Sequence, residues 1–339
     1  MEASSKSLQR LVTVILGVTL VLGLVVVALD RQEILRVLRE ADWRLLPLAL
    51  FFVLVSYGAL GYSFAVVNRL LGIRMKLRDL WELGVVSSAL NYILSTGGVA
   101  GYSLRFVLMN QQGVSLADIA AASLLHSYVS SLALLGMLPA GLIYLAIRHP
   151  LGPGAARGIS VAAGLLVVLF VLGALLIVQR AWRRVLLDWL GKLWYRLRKR
   201  SIEAALTEFD DAMTRGVTAM MGTPLAALAL LALVVTDWAA TVVSLGICFD
   251  ALGQPIGPGV LVTGFAIGVT AGLVSMIPGG LGVQEGSMAG VYHLLGVPLQ
   301  QAVLASILFR VMYYFIPFFL SLPSYWRILR TSREAGPTG

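Results

Sequence analysis

The chain has 339 residues, 58% of them hydrophobic and 13% charged, with a mean hydropathy of +0.87. Soluble domains carry about twice that charged fraction, so a soluble domain, a disordered chain, a collagen, a coiled coil and a disulfide-stapled secreted domain are all excluded. The net charge of +9 follows from basic loops between apolar runs rather than from nucleic-acid binding, and the single cysteine, Cys248, has no partner for a disulfide or a zinc cluster.

Crossing the hydrocarbon core takes about 20 apolar residues. In chain order, Leu11–Leu29, preceded by Lys6 and Arg10, reads as an uncleaved anchor. Leu45–Val67, Leu116–Ile147, Ile159–Val178, Pro224–Phe249 and Val303–Leu322 complete about six full transmembrane helices. Two stretches depart from this scheme. Leu80–Ser95 contains Glu82 and Asn91 and runs into Thr96-Gly97-Gly98, then Val99–Gln112 with Arg105. Gly259–Ile277 runs into Pro278-Gly279-Gly280, then Leu281–Leu295 with Gln284 and Glu285. Each reads as helix, glycine break, helix, a re-entrant hairpin over 80–112 and over 259–295. Non-helical backbone at that depth is tolerated only where it is buried in protein or lines a cavity.

The two breaks belong to a repeat. At an offset of 183, Gly113-Val114-x-Leu116 matches Gly296-Val297-x-Leu299, and Ala122-Ser123-Leu124-Leu125 matches Ala305-Ser306-Ile307-Leu308, six identities in thirteen positions. With a one-residue gap Gly97-Gly98 falls on Gly279-Gly280. Residues 1–339 therefore form a single integral membrane domain of two repeats, 8–148 and 157–323. With a cytoplasmic N-terminus, and each hairpin returning to the side it left, the cytoplasmic segments hold eighteen Lys and Arg against six outside. Both termini are then cytoplasmic, the site is the cell (inner or plasma) membrane, and the two repeats have opposite orientation. The expected fold is an all-α polytopic membrane protein with inverted-topology repeats. Such repeats with broken helices near the midplane are a secondary-transporter pattern, with binding at their interface.

Charges inside a membrane are costly and face a cavity or a partner. Arg105 lies two turns into the helix that starts at the Gly97-Gly98 break, where free N–H groups and a guanidinium can receive a phosphate; the bland alternative is a side chain snorkelling to the interface. Glu285 can meet a cationic group, accept a proton, or neutralise Arg310. Asp237, beside Thr236 and Trp238, is either a site residue or a helix-packing partner. Asn91 reads as structural more than functional. His126 and His293 have no neighbour at metal-ligand spacing, so neither a metal nor a cofactor is expected. No P-loop, H-E-x-x-H or nucleophile elbow is present, and no enzyme activity is expected.

Over 180–222, Trp182, Leu186, Trp189, Leu190, Leu193 and Leu197 share one helical face, with Arg183, Arg184, Lys192, Arg196, Arg198, Lys199 and Arg200 filling much of the rest. That is a basic amphipathic helix for an anionic cytoplasmic leaflet, or a topology anchor without lipid selectivity. Glu208, Asp210 and Asp211 then read as part of a soluble cap.

The run Pro278-Gly279-Gly280-Leu281-Gly282-Val283-Gln284-Glu285, with Gly296-Val297 and Arg310 after it, resembles the signature of the lysylphosphatidylglycerol synthase transmembrane family. Gly97-Gly98 with Arg105 is similar to that family's first glycine-arginine motif, although Ser95-Thr96 stands where some members carry a proline. The resemblance covers nearly the whole chain. It implies a lipid translocase of the stand-alone kind, without the soluble synthase domain that performs aminoacyl transfer in the bifunctional members. On the lipid-translocase reading, Arg105 and Arg310 would meet a phosphate, and Glu285 and Asp237 a cationic or hydroxylated headgroup. Asn91, Gly97, Gly98, Pro278, Gly279, Gly280 and Gln284 would complete the cavity between the hairpins. The alternatives are a small-solute or ion-coupled transporter on the same repeat, and a scaffold for a lipid-modifying enzyme. Glycine-rich span faces would also permit a homo-oligomer.

Overall fold

The structure is a computed structural model describing residues 31–94, 99–148, 153–198 and 201–334. The anchor Leu11–Leu29 and the Gly97-Gly98 break lie outside the described residues. Among the described residues the protein is helical, with no strand. A short amphipathic helix, α1 (Arg31–Glu40), and a 3-10 turn (Trp43–Leu45) lead into α2 (Leu46–Leu70). Then come α3 (Leu77–Leu94), α4 (Val99–Gln111) and α5 (Leu116–Arg148). The middle of the chain is α6 (Pro153–Val178), α7 (Arg180–Arg198) and α8 (Glu203–Gly222). The order long, broken pair, long then recurs as α9 (Pro224–Ala251), α10 (Pro258–Val274), a 3-10 turn at Pro278–Gly280, α11 (Val283–Leu294) and α12 (Leu299–Arg310). A π-helical turn, Val311–Phe315, joins α12 to α13 (Ile316–Glu334).

Trp43–Leu70, Leu116–Arg148, Pro224–Ala251 and Leu299–Arg330 are each long and apolar enough to cross a membrane. They contain four of the expected spans. By contrast α4 and α11 have 13 and 12 residues. At 1.5 Å per residue they are about 20 and 18 Å long, short of the roughly 30 Å hydrocarbon core.

Helix boundaries follow local chemistry. Proline occupies the first turn of α2, α9 and α10, where its missing N–H costs nothing. The matched glycines Gly113 and Gly296 sit at φ 80° and 90°. The next N–H in each case returns to a carbonyl five residues back, Val114 to Met109 at 3.1 Å and Val297 to Tyr292 at 3.0 Å. This closure needs a left-handed residue, which glycine supplies. The Gly-Val pairs that match across the halves therefore end equivalent helices, and Gly72 and Gly253 end α2 and α9 in the same way.

The most extensive helix pair is α2 against α9. Each broken pair also leans on the other half: α3 packs along α13, and α10 packs along α5. Inside the second pair, α10 presents glycines to α11. A Cβ at Gly264 would lie 2.2 Å from the Tyr292 ring, and one at Gly268 would lie 2.0 Å from Met288 Cγ and 3.1 Å from its backbone nitrogen. The glycine face is used within the fold, bringing two helices close without a hydrophobic driving force. Gly268→Leu is expected to lower the melting temperature, since overpacking of this kind costs about 1–3 kcal/mol. Gly286→Leu on α11, where a Cβ meets nothing within 4 Å, should leave it unchanged.

The basic loop is clamped rather than free. Asp210 of α8 is buried and accepts from Arg180 Nε at 2.8 Å, Arg183 Nε at 2.6 Å and Arg184 Nε at 3.2 Å, all from the start of α7. Arg183 also donates to the Ile177 carbonyl and to Thr214. This corrects two expectations. Arg183 is buried and faces α8 instead of a leaflet, and Asp210 is an internal counter-ion instead of part of an exposed cap. Trp182, Val185, Trp189 and Leu197 of α7 remain exposed. Burial pushes the Asp210 carboxyl up, but the three guanidiniums outweigh it and hold the group below its usual range. A depressed folded value means stability that is present above the unfolded carboxylate's pKa of about 3.9 and lost as pH falls through the folded value. Asp210→Asn is expected to remove that acid-dependent step and to speed amide exchange across 180–222 at neutral pH.

Candidate functional site

A cavity of about 330 Å³ lies where both broken pairs meet α5 and α9. α3 contributes Ser88, Asn91 and Tyr92 to its wall, α4 Tyr102 and Arg105, and α5 His126, Ser127, Ser130 and Ser131. Trp238 of α9, Gly272 of α10, Gly279, Gly280, Gln284 of α11 and Tyr314 of the π turn close the far side. At the rim Leu273, Met276 and Ile277 are apolar and exposed.

Among the described residues Arg105 is the one Lys or Arg in this lining, and no Asp or Glu accompanies it. It is 2% exposed. Nε donates to Ser87 Oγ at 2.8 Å, and the guanidinium lies 4.2 Å from the Phe64 ring centre and 5.4 Å from that of Tyr102. Nη1 is buried without a hydrogen-bond partner. Two contacts set the position of α4. The Gly101 N–H donates to Asn91 Oδ1 at 2.6 Å, and a Cβ at Gly101 would lie 2.1 Å from the Ser87 carbonyl. Asn91 thus fastens α4 to α3 one helical turn before Arg105. Beside them the Tyr102 hydroxyl bonds the Ser127 hydroxyl, and His126 Nε2 lies 3.0 Å from Ser63 Oγ. The wall is rich in hydroxyls around a single cation with one unused N–H group. That donor set suits an anion carrying several oxygens.

The second break is built differently. Arg310 forms an ion pair with Glu285 through Nε, and its Nη1 donates to the Gly279 carbonyl at 3.0 Å. Glu285 Oε2 in turn accepts from the Gly282 N–H at 2.9 Å, capping α11. The Arg310 guanidinium lies 4.9 Å from the Tyr314 ring centre, and Gln284 Nε2 donates to the Tyr314 hydroxyl at 2.8 Å. Gly279 and Gly280 have φ 61° and 63°. A Cβ at Gly279 would lie 2.8 Å from the Tyr92 carbonyl, so the second break rests on the C-terminal turn of α3.

The structure therefore brings Asn91, Arg105, Gly279, Gly280 and Gln284 to one cavity. Arg310 and Glu285 stand behind its wall and hold the glycine turn, and of the options open for Glu285 in the sequence, neutralising Arg310 is the one realised. Pro278 is exposed and outside the lining. Asp237 lies outside it too, bonded to Ser56 of α2. Gly97 and Gly98 lie outside the described residues. The polar stripe on α5 was missed in the sequence. His126, Ser127, Ser130 and Ser131 recur at helical spacing inside an apolar span, the signal that would have found it. Among the described residues no group of three His, Cys, Asp or Glu side chains is placed to hold a metal.

Residues 14–321 match the family described as Lysylphosphatidylglycerol synthase TM region. Over most of its length the chain is similar to a UPF0104 membrane protein of Methanothermobacter thermautotrophicus, 25% identical over 309 residues, which are 86% of this chain and 85% of the relative. A shorter match to a UPF0104 membrane protein of the same organism is 30% identical over 87 residues, 25% of this chain and 24% of the relative. The Phosphatidylglycerol lysyltransferase of Staphylococcus aureus is 33% identical over 86 residues, 25% of this chain and only 10% of that protein.

Proposed function

The chain belongs to the lysylphosphatidylglycerol synthase transmembrane family, and on that footing we propose that it is a lipid translocase whose cavity takes the phosphate-bearing headgroup of a membrane lipid. One observation carries this reading. Arg105 is a buried cation with no carboxylate partner and an unused Nη1, in a cavity whose other polar groups are hydroxyls, amides and an imidazole. A buried charge in hydrocarbon requires compensation, and a phosphodiester supplies it bidentately. A volume of about 330 Å³ suits a headgroup rather than a whole lipid. The exposed apolar rim of Leu273, Met276 and Ile277 gives acyl chains a surface to lie on in the bilayer. A cavity for a water-soluble solute has no need of such a rim.

The helix order supports an inverted repeat in which each broken pair enters and leaves on one face, the two from opposite sides, and they meet at Gly279 and Tyr92. With the basic loops on the cytoplasmic side, the exposed tryptophans of α7 lie in the anionic inner leaflet of the cell membrane. Substrate movement then follows alternating exposure of one site at the repeat interface. Arg310 and Glu285 act as positioning residues that keep the glycine turn against α3. The chain performs transport and no covalent chemistry.

A phospholipid analogue with a photoreactive headgroup tests the location. Labelling is expected in α4 and α5, competed by unlabelled phosphatidylglycerol and absent in Arg105→Ala. Labelling confined to α7, unaffected by the variant, would overturn the cavity as the headgroup site.

A further inference from the structure

Asp237 sits at the crossing of α2 and α9, the long helices that precede the two broken pairs, and is 6% exposed. Ser56 Oγ donates to its Oδ1 at 2.5 Å. The same serine hydroxyl lies 3.0 Å from Thr241 Oγ1 and 2.9 Å from the Tyr313 hydroxyl, and Thr241 Oγ1 lies 3.1 Å from that hydroxyl. Among the described residues the titratable groups around Asp237 are Tyr57 of α2, Tyr92 of α3 and Tyr313 of the π turn, all of them phenols. Asp237 forms no ion pair among the described residues: Arg310 is paired with Glu285, and Arg105 donates to Ser87 and lies over the Phe64 ring while its Nη1 stays unused. His126 faces Ser63, and α10 carries no titratable residue. An acid with only neutral hydroxyl partners at this depth is costly when ionised.

The π turn ties this acid to the cavity. In such a turn one carbonyl loses its usual partner, and here the Tyr57 hydroxyl donates to the Tyr313 carbonyl at 3.0 Å. Of the two adjacent tyrosines, Tyr313 reaches Ser56 while Tyr314 lines the cavity and bonds Gln284. Tyr92, also on the cavity wall, has its ring centre 5.7 Å from Tyr313 and 5.2 Å from Tyr314. Trp238, next to Asp237, lines the cavity and donates to the Ser130 carbonyl at 2.7 Å.

We propose that Asp237 is a proton-binding site that couples cargo movement to proton flow. A proton entering from the acidic side adds to the carboxylate and gives a neutral acid; release on the other side restores the anion, and no other bond is made or broken. The carboxylate accepts from Ser56. The neutral acid becomes a donor, so the Ser56 hydroxyl turns toward Tyr313 or Thr241 and the α2–α9 crossing is rewired. A change of bonding at the contact between the two halves is what biases one packing over another. Only the identity of the cargo rests on the lipid reading; the proton site stands apart from it.

The test has two arms on reconstituted full-length protein. Infrared titration reads the carbonyl stretch of protonated carboxyls as pH is stepped from acid to alkaline. A titrating band present in wild type and in Arg105→Gln, but absent in Asp237→Asn, is expected. Its absence in wild type overturns the proposal. Translocation of fluorescent phosphatidylglycerol is then measured with and without an imposed pH gradient. Wild type should respond several-fold, and the ratio should fall to one in Asp237→Asn whatever its absolute rate. A wild type that moves lipid with equal rate in both conditions overturns the coupling and leaves the lipid reading intact. A wild type that moves no lipid yet shows the Asp237 band overturns the lipid reading and keeps the proton site. Melting temperatures check folding, and Ser56→Ala, which leaves the acid in place, should shift the band without removing it.

Discussion

Arg105→Gln is expected to cut headgroup-dependent lipid translocation by about ten- to a hundredfold, the scale of a hydrogen bond to a charged group worth about 1.5–3 kcal/mol. The melting temperature of the lipid-free protein should stay level or rise. The two halves of this prediction have one origin. The Arg105 guanidinium is buried, bonds one serine, lies over two aromatic faces and leaves Nη1 unused. A structural arginine at that depth would have a carboxylate, as Arg310 has Glu285. Holding an uncompensated charge costs the empty protein stability, and the bound phosphate recovers it. Glutamine keeps much of the side-chain volume and a donor while removing the charge. Arg105→Lys retains the charge but not the planar fork and is expected to fall between. A lower melting temperature with unchanged translocation would make Arg105 a packing residue.

Glu285→Gln is expected to destabilise the protein by about 3–5 kcal/mol, the cost of leaving one partner of a buried ion pair alone. Both side chains are largely buried, 7% and 13% exposed. The carboxylate has two tasks, pairing Arg310 and accepting the Gly282 N–H at the start of α11. Arg310 in turn holds the Gly279 carbonyl. Losing the charge therefore loosens the turn that rests on Tyr92. Glu285→Gln combined with Arg310→Met removes the orphaned charge and should recover most of the melting temperature. Translocation should not recover, because the Gly279 carbonyl has still lost its donor. Full rescue of both would show that the pair serves folding alone.

Much of the architecture was legible in the sequence because its causes are local. Apolar length marks a span wherever hydrocarbon is the solvent, and four long helices fall where it placed them. Gly113-Val114 and Gly296-Val297 betrayed the repeat because a left-handed helix end requires glycine at a fixed place in each half. Arg105 stood out because charge in an apolar run is rare. The rest depends on tertiary approach. Ser56 and Asp237 are 181 positions apart, and nothing near either residue announces the other. Three roles are open to Glu285 in the sequence, and only the approach of α11 to Arg310 selects one of them. Arg183 looked like one basic residue among many because its counter-ion, Asp210, lies on the next helix, 27 positions away. The serines of α5 were hidden for a simpler reason. A hydroxyl in an apolar helix can satisfy itself on the preceding turn, as Ser131 does on the Ser127 carbonyl, and so resembles packing.

The most direct measurement is translocation in protein-containing and protein-free vesicles of fluorescent phosphatidylglycerol, phosphatidylcholine and a diacylglycerol that lacks the phosphate. A lipid translocase organised around Arg105 should accelerate the phosphate-bearing lipids over protein-free vesicles and leave the diacylglycerol at the background rate. Equal acceleration of all three, or of none, would contradict it.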